Sequence, residues 1–291
     1  MPTLLDFRRR IRTVKNTQQI TRAMKFVAAA RLRRAQERAL SARPYAKEIA
    51  RVLRSTMARI ENPQHPLLTK RREENLLVVV LTGERGLCGA FNTNVLRKAQ
   101  DVIRANAGKK ILVLPVGKKG RDYLRKRGYE FAGEYVNVLA RVEFAVAREI
   151  AAKITELYAS ADVDAVYAVF NEFKNVLAPT LAVEKLLPVE GLASAEETPA
   201  EAATVQVDYL YEQPKERLLD KLLPRYVETQ VLRAMLESSA AEYAARMTAM
   251  ESATNNAGDV IEALTLHMNK VRQAAITREI IEVVSGASST A

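Results

Sequence analysis

Two long stretches at the ends of the chain repeat apolar or small residues at helical spacing. From Thr3 to about Met57 there is no Gly, and Pro44 is the single Pro. Residues 215–285 keep alternating steps of three and four from Leu219 to Ala275. A sustained period near 3.5 residues keeps one seam facing a partner helix, as a coiled coil requires. The pattern predicts two long helices, packed antiparallel, whose Ala- and Thr-rich seams bury little apolar surface per layer.

The middle of the chain changes to short apolar runs that alternate with amphipathic stretches. We expect strands at 76–82, 111–116, 163–170 and 180–189, a weaker one at 129–135, and helices at 94–106, 118–127 and 142–159. This alternation is typical of a mostly parallel sheet covered by helices. Residues 190–203 are small and acidic and predict a loop, and residues 204–211 predict one more strand. The expected domains are residues 1–58, 75–211 and 212–286.

The composition excludes several kinds of site. One Cys cannot form an internal disulfide, and one Cys with two His cannot furnish a four-ligand zinc site. The longest apolar run, Leu76 to Leu81, is far shorter than the roughly 20 residues that cross a bilayer. We therefore expect a reducing compartment, no structural metal, and membrane association only through partners. The helical pattern of the basic N-terminus continues past the length of a transit peptide, so we treat that segment as mature protein.

The positive charge of the chain is concentrated in the N-terminal helix. Residues 1–58 hold 15 Lys and Arg against three acidic residues, whereas the remaining 233 residues hold 30 basic and 31 acidic ones. The first segment therefore sums to +12 and the rest to −1, which matches the total of +11. Such a stripe attracts an acidic partner, which could be nucleic acid, anionic lipid or protein.

The loop from Gly83 to Gly89 follows the first predicted strand, where doubly wound proteins bind phosphate. Its spacing is G-x-x-G-x-x-G rather than G-x-G-x-x-G, and no Lys-Ser/Thr pair follows. We therefore favour tight-turn geometry or contact with a partner over nucleotide binding. Cys88 would be a nucleophile only beside a base, and neither His65 nor His267 is tied to it by sequence. No other combination of residues predicts catalysis or a cofactor.

Two further classes of function stay open at this point. The basic helix would suit a nucleic-acid-binding coiled coil, although few aromatic residues accompany the basic ones and no DNA-reading motif is present. The glycine loop would suit a nucleotide-dependent enzyme. At the other end, apolar residues spread around the last helical turns, which predicts that surrounding subunits enclose them (Ile276, Ile280, Ile281, Val283 and Val284).

Several long motifs resemble the γ subunit family of F-type ATP synthases. They run from Lys15 to Leu32, from Arg85 to Asn92, from Glu251 to Ala257 and from Asn269 to Gly286, in the family's order. The resemblance spans the chain from Met1 to Gly286. It implies a Rossmann-like, mostly parallel α/β sheet domain inserted between two long terminal helices that form an antiparallel coiled coil.

The sequence departs from the family's pattern at a few positions. Gly83 and Glu84 stand where the family usually has Ser-Asp, and Arg278 replaces a commoner Gln. Cys88 is the single cysteine, so the regulatory cysteine pair of the chloroplast members is absent.

The resemblance also implies contacts for particular residues. Met24 and Lys25 would lie near an acidic lower loop of a β subunit. The implied upper contacts with β are Arg272, Gln273, Thr277 and Glu279. The implied foot residues, near the membrane c-ring and the ε subunit, are Tyr209, Tyr211 and Glu212. The implied contact region beside the shaft is Gly86, Leu87, Cys88 and Gly89.

By resemblance, the chain is the non-catalytic central rotor shaft, one copy inside three α and three β subunits. It would couple ion-driven rotation of the c-ring to conformational change at the β subunits, with no cofactor and no nucleic acid. The family and the lack of a presequence predict the cytoplasmic face of a bacterial inner membrane.

Overall fold

The computed structural model describes residues 3–60, 64–175, 180–190 and 214–289. Two long helices begin and end this part of the chain: α1 at Leu4–Met57 and α5 at Lys215–Ser289. With 54 and 75 residues they would measure about 80 and about 110 Å at 1.5 Å per residue. Both predicted helices are confirmed, and each continues through its internal proline, Pro44 or Pro224.

Between the long helices the chain alternates strands and helices. The strands are β1 Asn75–Leu81, β2 Lys110–Val116, β3 Glu130–Phe131, β4 Ala165–Glu172 and β5 Thr180–Leu187. The helices are α2 Phe91–Ala105, α3 Lys118–Arg125 and α4 Phe144–Ala159, and a 3-10 turn spans Pro66–Leu68. The weakly predicted strand at 129–135 shrinks to two residues plus a bridge between Val116 and Tyr135. The predicted loop beyond Glu190 and the strand at 204–211 lie outside the described residues.

The strands form one sheet in the order β3-β2-β1-β4-β5. All neighbours pair in parallel except β4 and β5, which are antiparallel. The chain builds outward from β1 to β2 and β3 and then returns to place β4 on the other side of β1. This reversal makes the gap between the carboxyl ends of β1 and β4 the topological switch point of the sheet. The predicted α/β class with a mostly parallel sheet is confirmed.

The alternating residues of β1 divide the core between the two faces of the sheet. Val78 and Val80 pack with α2 and α3 on one face. Leu77, Val79 and Leu81 face α4 and the ends of the two long helices on the other. Because both faces are covered, β1 reads as an unbroken apolar run rather than an alternating one.

The chain divides into two compact units. The first, termed the distal coil, contains residues 1–29 and 246–291, and the second, termed the body, contains residues 30–245. The body holds the sheet, α2 to α4 and the adjoining parts of α1 and α5. The distal coil is the antiparallel pair of helix ends. The three domain ranges expected from the sequence are a different kind of division and stay a prediction.

Candidate functional site

The loop after β1 lies at the switch point of the body and is held by Asn92. The Gly83 N–H donates to Asn92 Oδ1 at 2.8 Å, and Asn92 Nδ2 donates to the Arg85 carbonyl at 3.3 Å. Leu87 and Gly89 both have positive φ, 61° and 55°. This turn buries Cys88 and leaves 64% of the Leu87 surface exposed. The four residues 86–89 implied as a contact region therefore form one rigid turn with an apolar tip.

Glu84 places a carboxylate at the start of α3. Its Oε2 accepts from the Lys118 N–H at 3.0 Å, and its Oε1 accepts from the Val138 and Leu139 N–H groups at 3.1 and 3.5 Å. A helix N-terminus after a parallel strand is where doubly wound proteins bind phosphate. A side chain of this protein already carries the negative charge there and uses the backbone donors. The geometry therefore favours the structural reading of the glycine loop over a phosphate site.

Cys88 is not placed as a nucleophile. Its Sγ lies 3.2 Å from Asn92 Nδ2 and 3.8 Å from the Arg85 carbonyl oxygen. An amide and a carbonyl are not bases strong enough to take a thiol proton. The side chain is 1% exposed.

The distal coil joins its two helices through polar contacts. Thr21 Oγ1 lies 2.8 Å from Thr254 Oγ1, and Gln18 Nε2 donates to the Thr254 carbonyl at 3.3 Å. Lys25 Nζ forms an ion pair with Glu251 at 2.6 Å. The Thr-rich seams expected from the sequence therefore meet at Thr21 and Thr254. The charge of Lys25, implied as a contact for an acidic loop, is thus shared with a carboxylate of the same chain, and Met24 beside it is half-buried.

A groove of about 480 Å³ runs beside these contacts. Gln18, Arg22 and Phe26 line it from α1, and Glu251 and Asn255 line it from α5. Phe26 is 61% exposed. The groove thus offers amides, a guanidinium and one open aromatic ring to a polar ligand segment.

The implied upper contacts lie together on the last part of α5. Arg272, Gln273, Thr277 and Glu279 are all exposed there. The implied foot residues Tyr209, Tyr211 and Glu212 lie outside the described residues. The structure therefore locates ten of the thirteen implied contact residues, in three separate places, without a partner to test any of them.

The sequence did not identify three glutamates of this chain that form contacts with distant residues of the same chain. Glu84, Glu237 and Glu251 each bind groups far away in sequence, so no spacing along one helix or strand marks them. A local pattern could have identified Glu84. An acidic residue in the loop where doubly wound proteins bind phosphate can cap the N-terminus of a helix of the same chain. The pattern around Glu237 is weaker: the glutamate precedes a run of small residues on the long helix, which is typical of close packing.

Neither a metal centre nor a membrane span is found in the described residues. No group of three or more His, Cys, Asp and Glu side chains converges on a common point in residues 3–60, 64–175, 180–190 and 214–289. Within the same ranges no helix is long and apolar enough to cross a membrane.

Comparison with known proteins identifies the family of the chain. A family model described as ATP synthase matches residues 3–290. The ATP synthase gamma chain of Solibacter usitatus is 49% identical over 293 residues, and the alignment covers 99% of each chain. The ATP synthase gamma chain of Chloroherpeton thalassium is 45% identical over 300 residues, covering 99% of this chain and 98% of its own.

Solved structures with a similar fold come from mitochondrial ATP synthases. A chain of the Tetrahymena thermophila mitochondrial ATP synthase, solved as central stalk and c-ring, has a TM-score of 0.61 and 26% identity over 80% of this chain and 99% of its own. A chain of the Euglena gracilis mitochondrial ATP synthase has a TM-score of 0.68 and 21% identity over 99% and 94% of the two chains, which supports the fold. The protein described here belongs to the family of ATP synthase gamma chains.

Proposed function

We propose that this chain is the central rotor shaft of an F-type ATP synthase. One copy stands inside three α and three β subunits, and its foot meets the ε subunit and the membrane c-ring. Membership of the gamma chain family and likeness to a central stalk chain support this function. The observation that carries it in this molecule is the incomplete burial of the distal coil.

Too little of the distal coil is buried for it to be stable alone. Its buried side chains, among those the structure describes, are Phe7, Thr21, Ala28, Met250 and Ala257. Apart from Phe7 and Met250 these residues are small or polar, and a long helix derives most of its stability from packing of an apolar face. A coil of this composition needs surrounding protein.

The end of α5 presents apolar side chains on several sides. Ile276, Ile280, Ile281, Val283 and Val284 are 49 to 72% exposed. At 100° per residue they cover about 160° of the helix circumference. Exposed apolar surface of this extent marks an interaction site. A sleeve of α and β subunits around the shaft end would cover it.

Most contact residues in this proposal are those that the family resemblance implies. Arg22 and Phe26, with Met24 and the Lys25–Glu251 pair, would receive an acidic loop of a β subunit in the groove of the distal coil. The upper contacts with β are Arg272, Gln273, Thr277 and Glu279. The contact region of the body is Gly86, Leu87, Cys88 and Gly89. The foot contacts with ε and the c-ring are Tyr209, Tyr211 and Glu212.

Asymmetry of the shaft would provide the coupling. Each of three β subunits meets a different face of one chain, so each receives a different contact free energy. A face that favours the closed state over the open state by about 5.5 kcal/mol shifts that site by a factor of roughly 10⁴. Turning the shaft then moves this preference from one β subunit to the next. Reversing the sequence of contacts lets hydrolysis drive rotation.

The chemistry of ATP belongs to the partners, and this chain is a non-catalytic subunit. The Glu84 carboxylate at the phosphate position of the body supports this assignment. The chain would reach the cytoplasmic face of a bacterial inner membrane through its partners, as a peripheral subunit.

Gentle purification of the tagged native chain from its membrane tests the proposal. We expect one copy of this chain with three copies each of two larger subunits, and ATPase activity in the product. Native mass and subunit identification measure the ratio. Recovery of the chain alone, as a homo-oligomer, or with nucleic acid whose binding falls steeply with salt would contradict the shaft and favour the basic coiled-coil alternative.

A further inference from the structure

The switch point of the body is filled by α5. In residues 234–244 every side chain is buried, with relative exposures from 0 to 7%. Such a stretch in a surface helix would show one apolar stripe and one polar face. This stretch instead contains two Glu, two Ser and four Ala. We term it the enclosed segment.

The sheet side of the enclosed segment meets the loops at the carboxyl ends of the strands. Glu237 accepts from the Phe173 N–H, directly after β4, at 3.1 Å. Ser239 Oγ donates to the Leu139 carbonyl at 3.1 Å. A Cβ placed on Gly83, directly after β1, would lie 2.8 Å from the Glu242 carboxylate. Phe173 and Gly83 follow β4 and β1, the two strands that flank the switch point, and Leu139 lies between β3 and α4.

The enclosed segment also meets α1. Arg43 pairs with Glu237 at 2.9 Å, and the same guanidinium donates to the Phe173 carbonyl at 3.0 Å. Arg31 lies over the Tyr243 ring at 6.0 Å. One carboxylate therefore joins α5, α1 and the end of β4.

Doubly wound proteins use this crevice to bind a ligand, often through backbone N–H groups that hold an anion. Here the Glu237 carboxylate of α5 accepts a hydrogen bond from the Phe173 N–H, and Arg43 balances its negative charge. We propose that the sheet and helices α2 to α4, termed the sheet domain, hold the long helices, with α5 as the ligand of the switch-point crevice. Glu237 and Arg43 are the positioning residues that hold the sheet and the shaft helices at a fixed angle.

This inference rests on the proposed rotor function, in which the sheet domain and the helix segments it contacts must turn together. A buried carboxylate with a bonded arginine and a bonded backbone amide is held in one geometry, unlike an exposed ion pair that water can replace. Loss of Glu237 should therefore loosen the angular connection between the sheet domain and the adjoining segments of α1 and α5. Assembly should persist, because the apolar contacts of the body remain.

The test measures angular stiffness in the assembled complex. A bead on a cysteine introduced at Lys98, an exposed residue of α2, reports the angle of the body, with Cys88→Ser removing the native thiol. The complex is held to glass through its β subunits, and the angular variance is recorded during the pause for ATP. For a spring-like shaft this variance is inversely proportional to stiffness.

Glu237→Ala should raise the angular variance at least twofold, with ATP hydrolysis within twofold of the parent. Glu237→Gln keeps an acceptor for the Phe173 N–H and should restore more than half of the lost stiffness. The matched control is Arg33→Ala with Glu37→Ala, which removes an exposed ion pair from the same helix α1 and should leave the variance unchanged.

Two results would contradict the proposal that Glu237 and Arg43 hold the sheet against the long helices. One is parental variance in a rotating Glu237→Ala complex, and the other is a Gln variant as loose as the Ala variant. If Glu237→Ala fails to assemble, Arg43→Ala replaces it, with an expected rise of about 1.5-fold, and an unchanged variance overturns the proposal equally. Failure of the parent chain to assemble with α and β subunits would instead contradict the rotor function itself.

Discussion

Two parts of the same helix, α5, differ in how completely they are buried. In the body, residues 234–244 are enclosed on every side and carry a neutralised buried carboxylate. In the distal coil, Ile276 to Val284 includes five exposed apolar side chains. Helical structure is continuous through both, so secondary structure does not distinguish them.

The difference teaches which part can fold alone. The body has a sheet covered on both faces, and its helices are locked by contacts that only a folded sheet provides. The distal coil has mostly small and polar seam residues and leaves the apolar residues at the end of α5 exposed. Stability of the isolated chain should therefore reside in the body, whereas the coil should gain protection on assembly.

We expect the largest effect from a substitution that destabilises the body and leaves the distal coil unchanged. Gly117 has φ 111°, and a Cβ there would lie 1.9 Å from the Thr82 carbonyl oxygen. Gly117→Ala should lower the free energy of unfolding of the body by at least about 3 kcal/mol through strain and displaced backbone. Urea unfolding followed by circular dichroism measures the change.

Gly108→Ala is the matched control for that variant, because no atom lies within 4 Å of a Cβ at Gly108. Its free energy of unfolding should stay within about 0.5 kcal/mol of the parent. Equal stability of the two variants would contradict the close approach of β1 and the start of α3.

Removal of the carboxylate at the start of α3 should have the next largest effect. Glu84→Ala leaves the Lys118, Val138 and Leu139 N–H groups without their acceptor and should cost about 2 kcal/mol. Denaturant midpoints measure it against Glu130→Ala, an exposed carboxylate on β3. If the Glu84 variant is as stable as the Glu130 variant, the hydrogen bonds that Glu84 accepts do not stabilise the start of α3.

Gly83 tests the fit of the crevice around the enclosed segment. A serine at this position, the family's usual residue, would place Cβ 2.8 Å from the buried Glu242 carboxylate. Gly83→Ser should therefore cost about 1 to 2 kcal/mol, as overpacking does. Thermal unfolding of the isolated chain measures the cost, and a serine variant more stable than the parent would show that Glu242 moves freely.

A substitution in the seam of the distal coil should stabilise the coil and leave the body unchanged. Replacing both partners of the Thr21–Thr254 contact by Val removes a polar pair and leaves no buried group unbonded. The double variant should protect the coil by about 1 kcal/mol, seen as slower amide exchange in residues 5–29 and 246–270. Faster exchange would indicate that the threonine hydroxyls hold the coil together.

The smallest effect concerns pH and His65. Burial lowers the pKa of His65 below its ordinary value of 6.5, and nearby Asp220 opposes the shift. Its Nδ1 accepts from the Leu67 N–H at 3.1 Å, which requires the unprotonated ring. Because the unfolded chain binds the proton more tightly, the stability that the neutral ring contributes is present above pH 6.5. It is lost as the pH falls from 6.5 through the lower folded pKa.

The contribution should be no more than about 0.5 kcal/mol, since the site is partly solvated. Urea midpoints between pH 7.5 and 5 measure the slope. His65→Asn keeps a capping acceptor and should remove that part of the slope, so an unchanged slope would assign the pH dependence to other groups.

Most of the fold follows from local pattern. The two long helices come from periodicity and the strands β1, β2, β4 and β5 from short apolar runs, because each pattern lies within one element. The switch-point loop was placed correctly because it follows a buried strand. The short β3 was weak in the sequence and is short in the structure.

The polar contacts of the site could not be found in the same way. Glu237 meets Arg43 and Phe173 across 194 and 64 residues, and Glu251 meets Lys25 across 226. Such pairs depend on the register of two helices and on the docking of the sheet, neither of which periodicity fixes. The partner contacts are harder still, because the surfaces that complete them belong to other chains.

Rotation of this chain against its partners tests the central claim most directly. With the β subunits fixed to glass and a bead on residue 98, the account predicts unidirectional turning in ATP, with three pauses per turn. ATP hydrolysis by an assembled complex in which the bead only fluctuates about one angle would contradict it.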